Sequence, residues 1–355
     1  MNSGFWKKLT HSTSSQQAEP FFVLAPMADV TDCVFRALIA KYSGHGKASG
    51  GPDVFWTEFV SADGLCNEMG RKHLLIDLKY SEAERPIVAQ LFGSNPENME
   101  KASALVASLG FDGIDINMGC PDKTIEKQGA GAAMIKDLLK AKEIIRAAKR
   151  GAPTLPISVK TRIGYNKNEI DTWVRGLLLE DLAALTIHAR TRKEMSLVPA
   201  RWEAVLQVVE LKNKMGKETL IIGNGDVLDI SDARKKAFET GCDGVMLGRA
   251  IFGNPWLFDE QKGIAVGQSV ADDRVGLGSG NHRVTVEERL KILVEHAQEF
   301  ERVLGEHKSF AVMKKHFKAY VNGFDGAKEL RMQLMGTEKA SQVAQIIDDF
   351  LKRAL

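Results

Sequence analysis

Residues 113–132 read GIDINMGCPDKTIEKQGAGA, and the fold is decided in this stretch. Ile114, Ile116 and Met118 recur with a period of two, the mark of a short strand with one apolar face. The strand stops at Gly119-Cys120-Pro121, because Pro121 brings no N–H to a ladder. Cys120 therefore lies where strand gives way to loop. In parallel α/β architectures, the loops at the C-terminal strand ends gather ligands and chemistry. A thiol held there between glycine and proline is a nucleophile, an acid, or a small buried apolar side chain. Asn117, three residues upstream, and the glycines at 129 and 131 describe a polar, tightly turned pocket around it.

On both sides of this stretch strand and helix patterns alternate. Residues 21–27, 54–59, 87–93, 156–164, 185–190, 219–223 and 244–247 read as the other strands. Helical periodicity follows most of them, at 31–42, 95–109, 138–150, 171–181, from Trp202, and at 230–240. Eight such strands over about 240 residues predict a parallel sheet closed into a (β/α)8 TIM barrel. No GxGxxG turn opens the first unit, which disfavours a Rossmann fold. Residues 263–283 are Gly-rich and without period, a linker. Beyond them Leu290, Leu293, Val294, Ala297 and Phe300 recur at helical spacing, as do Ala340, Val343, Ala344, Ile347 and Leu351. The expected organisation is a flexible tail (1–19), a barrel (20–262), the linker, and a small all-helical C-terminal domain (284–355).

Composition narrows the function classes. A chain of 355 residues holds a barrel and a smaller domain, and a net charge of +2 makes any nucleic-acid contact local. Cys33, Cys66, Cys120 and Cys242 form no CxxC pair, which argues against structural zinc or disulfides and for a reducing compartment. No apolar run approaches the ~20 residues that span a bilayer. The polar N-terminus lacks the apolar core of a secretory signal, so a cytoplasmic protein is expected, with neither membrane nor metal.

Several strand ends carry candidate ligand groups. Asn224-Gly225-Asp226 follows the seventh strand and Gly248-Arg249 the eighth, where barrels of this type cradle phosphate, although these are also ordinary turn residues. Lys160 and Arg162 sit two apart on one strand and share a face, either towards an anion in the barrel mouth or outward to solvent. His188 is a core histidine or a hydrogen-bond donor to a ligand, and Gln90 a structural amide or a contact for a ring edge. Together they describe a site for a planar, phosphorylated cofactor. In residues 308–331 six cations, Lys314, Lys315 and Lys318 among them, stand against Asp325 and Glu329, either a phosphate-backbone footprint or a solvated face.

The run Ile114-Asp115-Ile116-Asn117, Gly119-Cys120-Pro121, Ile125 and Gly131-Ala132 resembles the signature of the tRNA-dihydrouridine synthases. The resemblance extends from Leu24 through the C-terminal helices. It implies an FMN-binding barrel, with Pro26-Met27-Ala28, Gln90, Lys160 and His188 at the flavin. It implies Asn224-Gly225-Asp226 and Gly248-Arg249 at the phosphate. Lys160 falls in a Val-Lys-x-Arg-x-Gly run, His188 and Arg190 in a His-x-Arg-Thr run, and residues 314–334 are similar to the family's tRNA-binding helices. The implied reaction uses NADPH to reduce FMN, passes hydride to C6 of a tRNA uridine, and protonates C5 from Cys120. Asn117, Arg162 and Arg190 are then expected around the uracil, and Lys314, Lys315 and Lys318 on the tRNA. Two stretches depart from the family pattern: the long linker and an extended loop at 42–52. A flavin barrel acting on a small unsaturated substrate, an RNA-binding protein without catalysis, and a phosphosugar barrel are the other readings.

Overall fold

The computed structural model describes residues 4–9, 19–47, 50–259 and 284–354; the expected linker lies outside the described residues. Eight strands run in chain order: β1 (Phe21–Leu24), β2 (Phe55–Ser61), β3 (Ile87–Phe92), β4 (Gly113–Met118), β5 (Ile157–Arg162), β6 (Ala184–His188), β7 (Leu220–Asn224) and β8 (Gly244–Leu247). All pairings are parallel, in the order β1-β8-β7-β6-β5-β4-β3-β2. A parallel bridge between Val23 and Val54, with Asp53 N–H donating to Phe22 O at 2.7 Å, joins the two ends of the sheet. The TIM barrel expected from the strand count is the fold found.

The strands are buried on both faces, as strands flanked by crossover helices must be. Ile114, Ile116 and Met118 occupy one face of β4, and Gly113, Asp115 and Asn117 the other. The helix Pro96–Ser108 starts where Asn95 accepts the Asn98 N–H at 3.1 Å and Pro96 takes the first turn, the start the sequence predicts. The helix expected at 171–181 is instead a five-residue π-turn, Ile170–Val174, continued by Arg175–Leu178. Two short helices between β2 and β3, Ala62–Cys66 and Glu68–Leu74, have no counterpart in the sequence reading.

One end of the barrel interior is apolar. Phe21, Val23, Trp56, Val88, Ile222 and Met246 pack there with Trp6, which is 1% exposed. Trp6 belongs to a single helical turn, Trp6–Leu9, inside the segment expected to be a tail, and its ring tilts onto Phe21 and Trp56 at 5.9 and 6.0 Å. Burial of a large apolar side chain contributes roughly 1.5–3 kcal/mol, which holds this turn against the barrel floor.

Among the described residues the chain divides into two compact units. The first is Met1–Met27 with Pro52–Gly248, the barrel; the second is Ala28–Gly51 with Arg249–Leu355. The second unit contains helices Cys33–Tyr42, Val286–Leu304, Met313–Tyr320, Ala327–Met335 and Ala340–Ala354. Chain order places Cys33–Tyr42 among the barrel helices, but its side chains bind within the helical unit. Phe35 stacks on the His296 ring at 5.0 Å, and Lys41 and Tyr42 reach Glu295 at 2.7 and 2.5 Å.

Candidate active site

At the C-terminal end of the barrel the interior turns polar, and strand register sets the order of the groups. Gln90 on β3 pairs with Asp115 on β4, Asn117 with Lys160 on β5, Arg162 with His188 on β6, and His188 with Asn224 on β7. Residues at even spacing on each strand share a face, so these groups line one ring of wall.

Cys120 lies just past β4 and is half-buried. Its N–H donates to Asn117 Oδ1 at 2.9 Å, and the Gly119 N–H donates to the same oxygen at 3.1 Å. Its carbonyl accepts the Ala132 N–H at 2.9 Å. Gly131 makes that closure possible. At φ +59 it holds a left-handed backbone, and a Cβ there would lie 2.7 Å from the Cys120 carbonyl oxygen. The Gly-Cys-Pro and Gly-Ala segments of the motif are thus two halves of one turn. Glu126, in the short helix Lys123–Lys127 that follows, pairs with Arg192, whose Nη2 also donates to Pro121 O at 3.4 Å. Burial pushes the Cys120 thiol above its usual range, with a smaller opposing effect of backbone hydrogen bonding at Asp122.

Lys160 reaches Asn224 Oδ1 at 3.4 Å and makes no ion pair among the described residues. Burial, aided by the Arg162 charge, lowers its ammonium to about 8. An ammonium so placed favours an anion beside it. The Asn224 amide donates to Met246 O at 2.8 Å, which turns its oxygen towards the lysine.

Arg162 is 7% exposed, and its guanidinium braces two loops. Nε donates to Gly119 O at 2.8 Å, and Nη1 donates to Thr191 O and Met195 O at 3.2 Å each. Arg190 donates through Nε to Val198 O at 2.6 Å and pairs through Nη2 with Asp226. Its Nη1 lies 3.3 Å from His188 Nε2. Arginine has no acceptor, so His188 Nε2 accepts and the ring proton sits on Nδ1. Asp226 also accepts the Ala200 N–H at 2.9 Å, so its carboxylate is turned to the protein wall.

Gly225 has φ +127, and a Cβ there would stand 2.8 Å from Ala200 Cβ and 3.3 Å from the His188 ring. Only glycine fits this buried turn, and its carbonyl accepts the Trp202 Nε1 proton at 2.9 Å. A Cβ on Gly248 would meet Ala25 and Met27 at ordinary contact distance, so the ends of β1 and β8 adjoin. Pro26 and Met27 are half-buried; Ala28 and Arg249 are exposed and belong to the helical unit.

The structure thus gathers Cys120, Gln90, Asn117, Lys160, Arg162, His188, Arg190 and Asn224 at one end of the barrel. Sequence reading gave no role to Asp115 or Ser158, which hydrogen-bond beneath that ring. Asp115 is fully buried, accepts from Gln90 Nε2 at 2.7 Å and Ser158 Oγ at 2.6 Å, and is raised to about 6 by burial. An aspartate inside an alternating strand was the available signal. In the helical unit, Lys315 and Lys318 are exposed on Met313–Tyr320 and Lys314 is half-buried, while His316, Phe317 and Tyr320 face the core. Lys315 forms a solvent-exposed pair with Asp29 at 3.0 Å.

The dihydrouridine synthase family model matches residues 23–355, which includes every group in this ring. The chain belongs to the dihydrouridine synthase family. It is 38% identical over 356 residues to the probable tRNA-dihydrouridine synthase 2 of Bacillus subtilis strain 168, covering 100% of this chain and 99% of that protein. It is 37% identical over 352 residues to a probable tRNA-dihydrouridine synthase of Staphylococcus aureus strain MRSA252, covering 99% and 96%. Among solved structures, histamine dehydrogenase from Rhizobium sp. 4-9 aligns with TM-score 0.47 at 12% identity, over 71% of this chain and 47% of that one. No described helix is long and apolar enough to cross a membrane. Family membership makes this barrel an oxidoreductase, and the ring around Cys120 is its candidate site.

Proposed function

We propose that this family member reduces the C5–C6 double bond of a uridine in tRNA, with FMN in the barrel mouth, NADPH as reductant and Cys120 as the acid. The observation that carries the reading is the state of Cys120. Its backbone is clamped at the mouth by Asn117 and Ala132, and burial keeps the thiol protonated at neutral pH. A protonated thiol is a poor nucleophile and a ready proton donor.

The mouth suits an anionic, planar cofactor. Lys160 forms no ion pair among the described residues, and Gly225 makes a glycine turn directly after β7, one of the two strands whose following loops cradle phosphate in barrels of this type. In this reading Lys160 and His188 hold the ring, with Gln90 at its edge and Pro26, Met27 and Ala28 beside it. Asn224, Gly225, Asp226, Gly248 and Arg249 serve the phosphate end, with Asp226 acting through Arg190. When bound, FMN supplies the hydride that uridine C6 receives. Cys120 gives its Sγ proton to C5 and is reprotonated from solvent. Arg162 retains Nη2, which bonds no described residue, for a uracil carbonyl, and Asn117 and Arg190 shape the rim around it. The base must leave its stack to reach this depth. Lys314, Lys315 and Lys318 provide phosphate-backbone contacts, in keeping with a cytoplasmic tRNA-modifying enzyme.

The first test is the visible absorption of the purified protein. Flavin bands that bleach on NADPH, and recover when unmodified tRNA is added without oxygen, are expected. A colourless protein that does not take up FMN would overturn the cofactor reading.

A further inference from the structure

Beneath the mouth, three side chains form a continuous line that is fixed at both ends, by an acceptor-only carboxylate at Asp115 and by the donor-only backbone N–H groups of Gly119 and Cys120. Asp115 Oδ2 accepts from Gln90 Nε2 at 2.7 Å, Gln90 Oε1 accepts from Asn117 Nδ2 at 3.1 Å, and Asn117 Oδ1 accepts from Gly119 and Cys120 at 3.1 and 2.9 Å. Both amides are symmetric enough in shape to sit either way round. An ionised carboxylate only accepts, so Gln90 must turn its NH2 to Asp115 and its oxygen to Asn117. Asn117 must then turn its NH2 to Gln90 and its oxygen to the loop. Reversing either amide would leave donors facing donors in a fully buried site, which costs more than a missing bond.

We propose that Asp115 is a positioning residue: through Gln90 and Asn117 it fixes the orientation of the loop that carries Cys120. Its carboxylate touches neither the thiol nor the mouth; Gln90 and Ser158 occupy both its oxygens. The inference rests on the reading of Cys120 as the acid for its consequence in turnover, but not for its geometry.

The decisive experiment is a carboxylate transfer in the full-length protein. Asp115→Asn replaces the charged acceptor by a neutral amide oxygen, so the line loses the charge-assisted bond that anchors its far end. Adding Gln90→Glu places an acceptor-only group one position along, which again presents oxygen to Asn117 while accepting from the new amide at 115. The readout is iodoacetamide alkylation of Cys120 against pH, followed by peptide mass spectrometry, with thermal melts alongside. Wild type should alkylate slowly, with a midpoint above the ordinary thiol range. Asp115→Asn should free the loop and lower that midpoint. Alkylation near pH 8 should then speed up, by at most about tenfold for each pH unit that the midpoint falls. The double variant should return towards the wild-type profile, whereas Gln90→Glu alone should not. A role in packing alone gives no rescue, because each change would add its own damage.

An Asp115→Asn profile that matches wild type, or a double variant no closer to wild type than the single, would overturn the proposal. Should Asp115→Asn not fold, Asn117→Asp carries the same test: Asp115 still holds Gln90 with its oxygen towards position 117, where it now meets another acceptor. Faster alkylation is expected from that folded variant, and an unchanged profile would overturn the proposal. Failure of the functional reading looks different: the alkylation pattern would hold while Cys120→Ala kept normal dihydrouridine formation.

Discussion

Gly131 lacks a side chain where the Cys120 carbonyl oxygen would stand 2.7 Å from its Cβ, and Ala132 N–H donates to that same oxygen. The turn closing over the cysteine therefore depends on a residue ten positions downstream of Pro121. Gly131→Ala meets both this clash and a left-handed φ, a strain of about 1–2 kcal/mol before the loop shifts. The expected variant is less stable by that order in urea titrations and turns over uridine more slowly, while its tRNA affinity stays at the wild-type level.

Lys160 should make FMN binding fall at alkaline pH. Its folded value of about 8 lies below the usual lysine value, so the ammonium is intact below pH 8 and lost as pH rises through it. Affinity for an anionic ring and phosphate should be flat below that point and weaken above it, by at most about tenfold per pH unit. Lys160→Met should bind FMN weakly at all pH values and lose the dependence. Fluorescence titrations of FMN between pH 6 and 10 read this directly, and a wild-type affinity unchanged to pH 10 would contradict it.

His296 and His316 sit at 0% exposure in the helical unit, ring centroids 4.4 Å apart, with no hydrogen-bond partner on any ring nitrogen among the described residues. Burial holds His296 well below its ordinary value and His316 down to about 3, with the neighbouring ring opposing charge on His296 and Lys315 on His316. Both are neutral when folded and bind protons on unfolding below about pH 6.5, so stability rises with pH through that region. The helical unit should lose stability steeply as pH falls from 7 towards 4. His316→Phe, placed among Phe35 and Phe252, should shallow that slope by about one proton. Denaturant midpoints across this range provide the check.

Charge on the helix Met313–Tyr320 should matter for tRNA alone. Converting Lys314, Lys315 and Lys318 to alanine should weaken tRNA binding and reduce the slope of log affinity against log salt by about 2–3. Flavin content should not change. Filter binding at several salt concentrations separates this from a folding defect, and an unaltered slope would assign the lysines to an ordinary solvated face.

The barrel was legible because strand period and strand count survive in the apolar pattern, as in Ile114, Ile116 and Met118. Cys120, Gln90, Lys160 and His188 were legible because each lies within two residues of a strand end. Partners were not legible. Nothing local to Arg162 says that its N–H groups go to the carbonyls of Gly119, Thr191 and Met195, and nothing local to Asp226 says that it faces Arg190 rather than a ligand. The Arg190–Asp226 pair follows from the register that sets His188 against Asn224, and the Arg162 bonds go to loops beyond the strand ends. Asp115 went unread for the same reason: an acid on an alternating strand looks alike whether it meets water or, as here, two buried donors. The placement of Cys33–Tyr42 in the helical unit depends on His296 and Glu295, more than 250 residues away.

The most direct measurement is dihydrouridine itself. Unmodified tRNA is incubated with NADPH and either wild-type protein or Cys120→Ala, then digested and analysed by mass spectrometry for nucleosides carrying two added hydrogens. Wild type should produce dihydrouridine, and Cys120→Ala should produce almost none while retaining its flavin and its tRNA affinity. Equal dihydrouridine from both proteins would contradict the assignment of Cys120 as the proton donor.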